Sequence, residues 1–136
     1  MGTSEAVGLV MQFYRHLDDR DVAALTGLML PDGVWHRQGA VLEGAEAIAA
    51  ALARRSPTMR IHHLLTNAFA VLTEPNGVEV TAYMLVVRHE PGQSLDGPAP
   101  FNGIENIRTV RATLRHTPSG WRIASMRGDP PSFAAQ

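Results

Sequence analysis

The first part of the chain carries apolar residues at helical spacing. One stripe, with a repeat of three and four residues, consists of Val7, Val10, Met11, Tyr14 and Leu17. A second short helix is predicted to begin after Asp21, whose carboxylate can cap the first turn, and to end at the turn residues Pro31-Asp32-Gly33. A short strand, Val34–His36, precedes an alanine-rich third helix over 45–55.

From Arg60 onward the pattern changes to the alternation of β-strands. Four strands in two hairpins are predicted over 61–73, 78–89, 106–116 and 121–127. Asn76-Gly77 is a strong hairpin signal, and Pro118-Ser119-Gly120 provides the second turn. The proline- and glycine-rich segment 90–103 predicts a loop, and the tail after Gly128 is predicted to be irregular and mobile.

Helices followed by long hairpins favour an α+β fold over alternating βαβ units. Because the helices are the only available cover for the apolar face of the sheet, the mainly antiparallel sheet should curve around them and leave an interior pocket at one end. A length of 136 residues fits one domain over 1–136. Apolar residues occur on both faces of the predicted strands, and the helices can cover only one of these faces. The outer face of the sheet is therefore predicted to form a homodimer.

Composition excludes several classes of function. Lys+Arg 12 against Asp+Glu 13 leaves no basic excess, so no nucleic-acid partner is expected. The absence of cysteine rules out disulfides and thiol chemistry. No apolar run is long enough to span a membrane, and the N-terminal pattern is not that of a signal peptide, so a cytoplasmic location is expected. The histidines lack metal-ligand spacing and no nucleotide motif is present, so neither a metal nor another cofactor is expected.

Five segments, in order along the chain, carry a family resemblance: FYRHLDDRDVAAL, PDGVWHRQG, LEGAEAIAAAL, RIHHLLTNAF and SGWRIASMRGD. In this ordered set the chain resembles the SnoaL-like family of the nuclear transport factor 2-like superfamily. The resemblance extends to dehydratase-like members such as scytalone dehydratase and the bile-acid dehydratases. It implies a cone-shaped fold with a pocket and cofactor-free lyase chemistry.

The same resemblance implies roles for particular residues. The aspartate late in the first helix of these enzymes matches Asp18, and the histidine on a central strand matches His63. A tyrosine of scytalone dehydratase matches His36, and its second histidine falls near Arg88 or His89. The chain departs from that enzyme at Leu17, where the enzyme has a tyrosine.

The residues themselves allow this chemistry and also a structural alternative. Strand alternation places His63, Leu65, Asn67 and Phe69 on one face and His62 on the other. An inward His63 can take and return a proton, and Asp18 can orient its ring and stabilise the imidazolium. In the alternative, His63 is a hydrogen-bonded core residue and Asp18 is an exposed acid.

Further side chains are candidates for substrate binding. They are Tyr14, Trp35, His36, Asn67, Tyr83, Arg88, His89 and Arg108. Tyr14 lies four residues before Asp18, on the same side of the helix. Tyr83 can line a pocket or join a dimer surface. Arg108 and Arg111 face opposite ways, and whichever points inward needs an anion, for which Glu105, Asp18 and a substrate carboxylate are candidates.

The sequence therefore predicts a cofactor-free lyase or isomerase, of dehydratase or cyclase type, acting on a small hydrophobic cyclic metabolite. Two alternatives remain open. One is a non-catalytic module that binds a small molecule in the same pocket. The other is a structural subunit similar to the β subunits of ring-hydroxylating dioxygenases, which share this fold.

Overall fold

The computed structural model describes residues 2–73, 75–90 and 92–136. Its three helices are α1 (Thr3–Asp18), α2 (Val22–Gly27) and α3 (Gly44–Ala53). The side chain of Asp21 accepts a hydrogen bond from the backbone N–H of Ala24 at 3.1 Å and so caps α2 as predicted. None of these helices is long and apolar enough to cross a lipid bilayer.

The strands of the described residues form one sheet. They are β1 (Met29–Arg37), β2 (Ala40–Glu43), β3 (Arg60–Thr73), β4 (Gly77–His89), β5 (Asn106–Thr117), β6 (Gly120–Gly128) and β7 (Phe133–Ala134). Their order is β2-β1-β6-β5-β4-β3, with β7 beside β5. Only β1 and β6 are parallel, so the sheet is mainly antiparallel, and it does not close into a barrel. The predicted α+β fold is confirmed.

The helices cover one face of the sheet. The stripe of α1 buries Ala6, Val10, Phe13, Tyr14 and Leu17, whereas Met11 is 49% exposed. This stripe meets the inward residues of the central strands, among them Val80, Ala82, Val110, Ala112 and Met126. The ring of Phe13 also packs edge-on against Trp35, with 5.0 Å between the ring centroids. The core therefore lies between the helices and the inner face of the sheet.

Strand β1 begins earlier than the sequence predicts. Pro31-Asp32-Gly33 was expected to form a turn, but β1 runs through it from Met29. The pairing with β6 changes register between Met29 and Val34, which accommodates a proline that cannot donate a ladder hydrogen bond. Residues Gln38 and Gly39, both at positive φ, then turn the chain into the unpredicted strand β2.

A bulge in β3 overturns the predicted alternation. Its pairing with β4 shifts between Thr66 and Phe69, and Asn67 has a φ of 52°. Before the bulge His63 faces inward, whereas after it Ala68 packs against the core and Phe69 is 61% exposed. The prediction that Asn67 and Phe69 share the face of His63 is wrong, because one extra residue exchanges the two faces of a strand.

The prediction that the tail is irregular is wrong, because part of the tail forms a strand. Strand β7 pairs with the first residues of β5, and the N–H groups of Asp129, Ser132 and Ala135 each donate a backbone hydrogen bond of 2.8 Å to the β5 region. Strand β6 reaches only as far along β5 as Val110, so backbone groups beyond that point are left for the tail to satisfy. The segment 92–103 does form the predicted loop.

Candidate functional site

A cavity of about 360 Å³ lies where α1 meets the inner face of the sheet. Its volume is at the lower end of the roughly 300–1,000 Å³ of small-molecule sites. Six of the predicted site residues line it: Tyr14, Trp35, His36, His63, Arg88 and Arg108. They come from α1, β1, β3, β4 and β5, so residues distant in sequence meet at one place.

The side chains of Asp18 and His63 are in direct contact beside this cavity. Oδ1 of Asp18 lies 2.5 Å from Nδ1 of His63, and Oδ2 accepts the backbone N–H of the same residue at 2.8 Å. The side chains of His63 and Asp18 are only 10% and 8% exposed. A carboxylate can only accept, so the proton of the neutral imidazole belongs on Nδ1, which leaves the lone pair of Nε2 available to accept a proton.

The end of α1 explains why Asp18 points inward. The helix ends at Asp18, and Arg20 follows at a positive φ of 60°, which turns the chain toward α2. Asp18 itself contacts β3 and does not line the cavity, whereas His63 does. The carboxylate therefore lies behind the imidazole as seen from the cavity.

Tyr14 lies beside His63 on the cavity wall. The two ring centroids are 5.3 Å apart, and Tyr14 is 4% exposed. Burial raises the pKa of the Tyr14 phenol far above its ordinary value, although the charge of Arg108 acts in the opposite direction. The phenol is therefore neutral at physiological pH and can donate its O–H to an oxygen in the cavity.

The arginines of β4 and β5 differ in their partners. Arg88 faces the cavity and donates two hydrogen bonds, at 2.9 and 2.7 Å, to Oε1 of Glu105. Arg108 also faces the cavity, where its acceptors among the described residues are two neutral oxygens, Asn106 Oδ1 at 3.2 Å and the Asp129 carbonyl at 3.4 Å. Arg111 faces the other way and binds the Asp129 carboxylate, so the predicted opposite orientation of the two β5 arginines is confirmed.

Three predicted binding residues lie outside this cavity. Asn67 and Tyr83 line a separate groove with Phe69, and Tyr83 is 50% exposed on the outer face. The bulge displaced Asn67, and Tyr83 alternates with the buried residues of β4. His89 stands opposite Arg60 on the face away from the cavity, because β4 brings Arg88 inward.

Sequence reasoning missed two cavity arginines. Neither Arg37 nor Arg55 is among the candidate site residues that the sequence predicts. Arg55 lies beyond the last turn of α3, donates from Nη1 to the Leu17 carbonyl at 3.0 Å, and lines the cavity. Arg37 lies over the ring of Trp35, 5.4 Å from its centroid. Strand alternation from Trp35 would have placed Arg37 on this side.

The cavity is consequently more polar than the predicted hydrophobic pocket. Trp35, Ile61, Met84 and Val86 supply apolar walls, but arginines from several elements share the space with them. In the part of the chain that the structure describes, no three histidine, aspartate or glutamate side chains come together as a metal site would require.

Comparison with known proteins identifies the family. The model of the SnoaL-like domain family matches residues 4–127. No curated protein sequence matches the chain. Among solved structures, ActVI-ORFA from Streptomyces coelicolor is similar, with 17% identity, a TM-score of 0.76, and coverage of 95% of this chain and 96% of that one.

Two structures from Novosphingobium aromaticivorans are also similar. One is a nuclear transport factor 2-like protein with a cystatin-like fold, at 24% identity and a TM-score of 0.70, covering 89% of this chain and 76% of that one. The other, provisionally named a scytalone dehydratase, has 14% identity and a TM-score of 0.71, covering 96% of this chain and 87% of that one. At such identities these likenesses establish the fold alone. With its family model matched over 4–127, the chain belongs to the SnoaL-like domain family.

Proposed function

We propose that this protein is a cofactor-free lyase or isomerase that moves a proton on a small cyclic metabolite bound in the cavity. The observation that carries the proposal is the contact between Asp18 and His63, with the imidazole facing the cavity and the carboxylate behind it. A histidine held in one tautomer with a free Nε2 is suited to act as a general base.

The proposed reaction begins at a carbon next to a carbonyl group. Nε2 of His63 removes a proton from that carbon, and the C–H electron pair forms the double bond of an enolate. Asp18 stabilises the imidazolium that results. In a substrate with a second double bond conjugated to the enolate, the imidazolium returns the proton to the far carbon of that system, the carbonyl re-forms, and the result is an isomerisation. In a substrate with a hydroxyl group on the next carbon, the carbonyl re-forms, the enolate electron pair forms a new C=C bond as the C–O bond breaks, and the imidazolium protonates the departing hydroxyl group to release water.

Tyr14 and Arg108 support this reaction by stabilising the enolate oxygen. Tyr14 stays neutral and can donate a hydrogen bond, and Arg108 lies near enough for its charge to affect the phenol. Donors that are already oriented toward a developing negative charge stabilise the transition state without reorganisation. Trp35 and Met84 provide apolar surface against which a ring can pack.

A deuterium-exchange assay tests the proposal without knowledge of the natural substrate. The protein is incubated in D₂O with a series of cyclic ketones, such as 2-tetralone, and deuterium uptake next to the carbonyl is measured by mass spectrometry. We expect exchange above the buffer rate in the wild type. His63→Ala should lower it by about 10²–10⁴-fold. The matched control is His62→Ala, because His62 is the exposed neighbour on the opposite face and should retain full exchange.

Two outcomes of this assay oppose the proposal. Exchange that survives in His63→Ala assigns the base to another residue. Binding of the ketones without any exchange supports the alternative function, a non-catalytic module that holds a small molecule.

A further inference from the structure

The cavity carries a local excess of positive charge. Four arginines line it, Arg37, Arg55, Arg88 and Arg108, against one acidic residue, Glu105. The whole chain has a formal net charge of -1, so the excess is local. Glu105 is occupied by Arg88, and the carboxylate behind the wall, Asp18, is occupied by His63.

The other three cavity arginines form no ion pair within the described residues. Arg55 is partly buried. Its Nε is buried and has no hydrogen-bond acceptor among the described residues, and its Nη1 meets only a backbone carbonyl. An arginine that lines a cavity without an acidic partner is suited to a ligand that supplies the negative charge.

Arg37 and Arg55 both line the cavity, and the charge of Arg37 acts on Arg55. Burial lowers the pKa of Arg55, and the charges of Arg20 and Arg37 lower it further, with only Asp18 opposing them. Burial also lowers the pKa of Arg37, with a contribution from Arg54. Two like charges brought together with partial loss of hydration favour binding of an anion between them.

We infer that the ligand of this cavity carries a carboxylate, which Arg37 and Arg55 bind while its ring system lies toward Trp35 and His63. The planar guanidinium groups match a carboxylate geometrically and can bind both of its oxygens. Arg108, beside Tyr14, belongs instead to the end where the proposed proton transfer takes place. This inference deepens the proposed function by naming the chemical class of the metabolite, a cyclic carboxylic acid.

Binding of matched acids and amides tests the inference. Titration calorimetry compares 2-naphthoate with 2-naphthamide, which have the same ring system and differ in charge. We expect the wild type to bind 2-naphthoate at least about tenfold more tightly than the amide. Arg37→Gln and Arg55→Gln should each weaken naphthoate binding by about tenfold and leave amide binding unchanged. Using both variants covers the case in which Arg55→Gln fails to fold.

The matched control is Arg115→Gln, which removes the same charge from an exposed side chain on β5 that does not line this cavity. It should retain the preference for naphthoate. Equal affinity for acid and amide, no binding of naphthoate, or displacement of naphthoate by an equal concentration of inorganic phosphate would overturn the inference.

The inference and the proposed function fail separately. If naphthoate binding depends on Arg37 and Arg55 while the wild type shows no proton exchange with any of the cyclic ketones, the carboxylate site stands without the catalytic assignment. If cyclic ketones exchange protons through His63 while acids show no preference over amides, the proposed function stands and the carboxylate site is refuted.

Discussion

The carboxylate of Asp18 accepts two hydrogen bonds from one residue, His63, through the backbone N–H at 2.8 Å and through ring Nδ1 at 2.5 Å. The two contacts fix both the position of β3 against the end of α1 and the orientation of the imidazole. Asp18 is in this sense a positioning residue, since it lies behind His63 and does not line the cavity.

Asp18→Asn should impair the reaction less than loss of His63. The amide can still accept a hydrogen bond but no longer stabilises an imidazolium, so we expect proton exchange to fall by roughly tenfold to hundredfold, as when groups that orient metal-bound imidazoles are removed. NMR of protein labelled with ¹⁵N-histidine should show the wild-type His63 protonated on Nδ1 and a mixture of tautomers in the variant. A wild-type ring protonated on Nε2 would contradict the assigned role.

Tyr14 should resist ionisation. The chain has two tyrosines, so Tyr83→Phe leaves Tyr14 as the only phenol. Because burial raises its pKa in the folded state, folding favours the neutral phenol, and stability should fall as the pH rises above the ordinary value of about 10. Tyrosinate absorbance should therefore appear only together with unfolding measured by circular dichroism. Ionisation near the ordinary pKa in folded protein would refute this expectation.

The outer face of the sheet is predicted to form a homodimer. Phe69, Val71 and Tyr83 are 61%, 54% and 50% exposed there, and Leu64, also on that face, is 49% exposed. Such an apolar patch is unusual on a monomer. Light scattering at micromolar concentration should give twice the 14.8 kDa of the chain, and Phe69→Lys should shift the protein toward monomer. A wild-type mass near that of one chain would contradict the prediction.

The loop 92–103 and the tail should differ in hydrogen exchange. The tail is held by backbone hydrogen bonds from Asp129, Ser132 and Ala135, whereas no regular strand or helix forms within the described loop. We expect the loop amides to exchange much faster than those three amides. Equal protection of loop and tail would show that the loop is held by contacts beyond those described.

Much of the fold could be predicted from the sequence because it depends on local patterns. The apolar stripe of α1, the Asp21 cap and the Asn76-Gly77 turn each act over a few residues. The cap and the turn occur as predicted, and the stripe does so at Val10, Tyr14 and Leu17, although Met11 is exposed. The contact between Asp18 and His63, which lie 45 residues apart, was predicted from the family resemblance and not from residue spacing.

The remaining features could not be predicted, because the alternation of polar and apolar residues does not show where a strand bulges or where its pairing ends. The bulge at Asn67 exchanges the faces of β3, and the pairing of the tail depends on where β6 ends along β5. Arg55 lies just beyond a helix, where no periodicity assigns a direction. The charge of the cavity therefore became evident only when separate elements were assembled.

The central claim is that His63 transfers the proton, and the proton-exchange rate of His63→Ala, measured below its melting temperature, tests it most directly. If His63 transfers the proton, we expect a fall of about 10²–10⁴-fold with the fold retained. If His63 only fills space, the substitution instead opens a void and costs about 1–3 kcal/mol of stability. A His63→Ala protein that has a much lower melting temperature yet exchanges protons at the wild-type rate would contradict the assignment of His63 as the base.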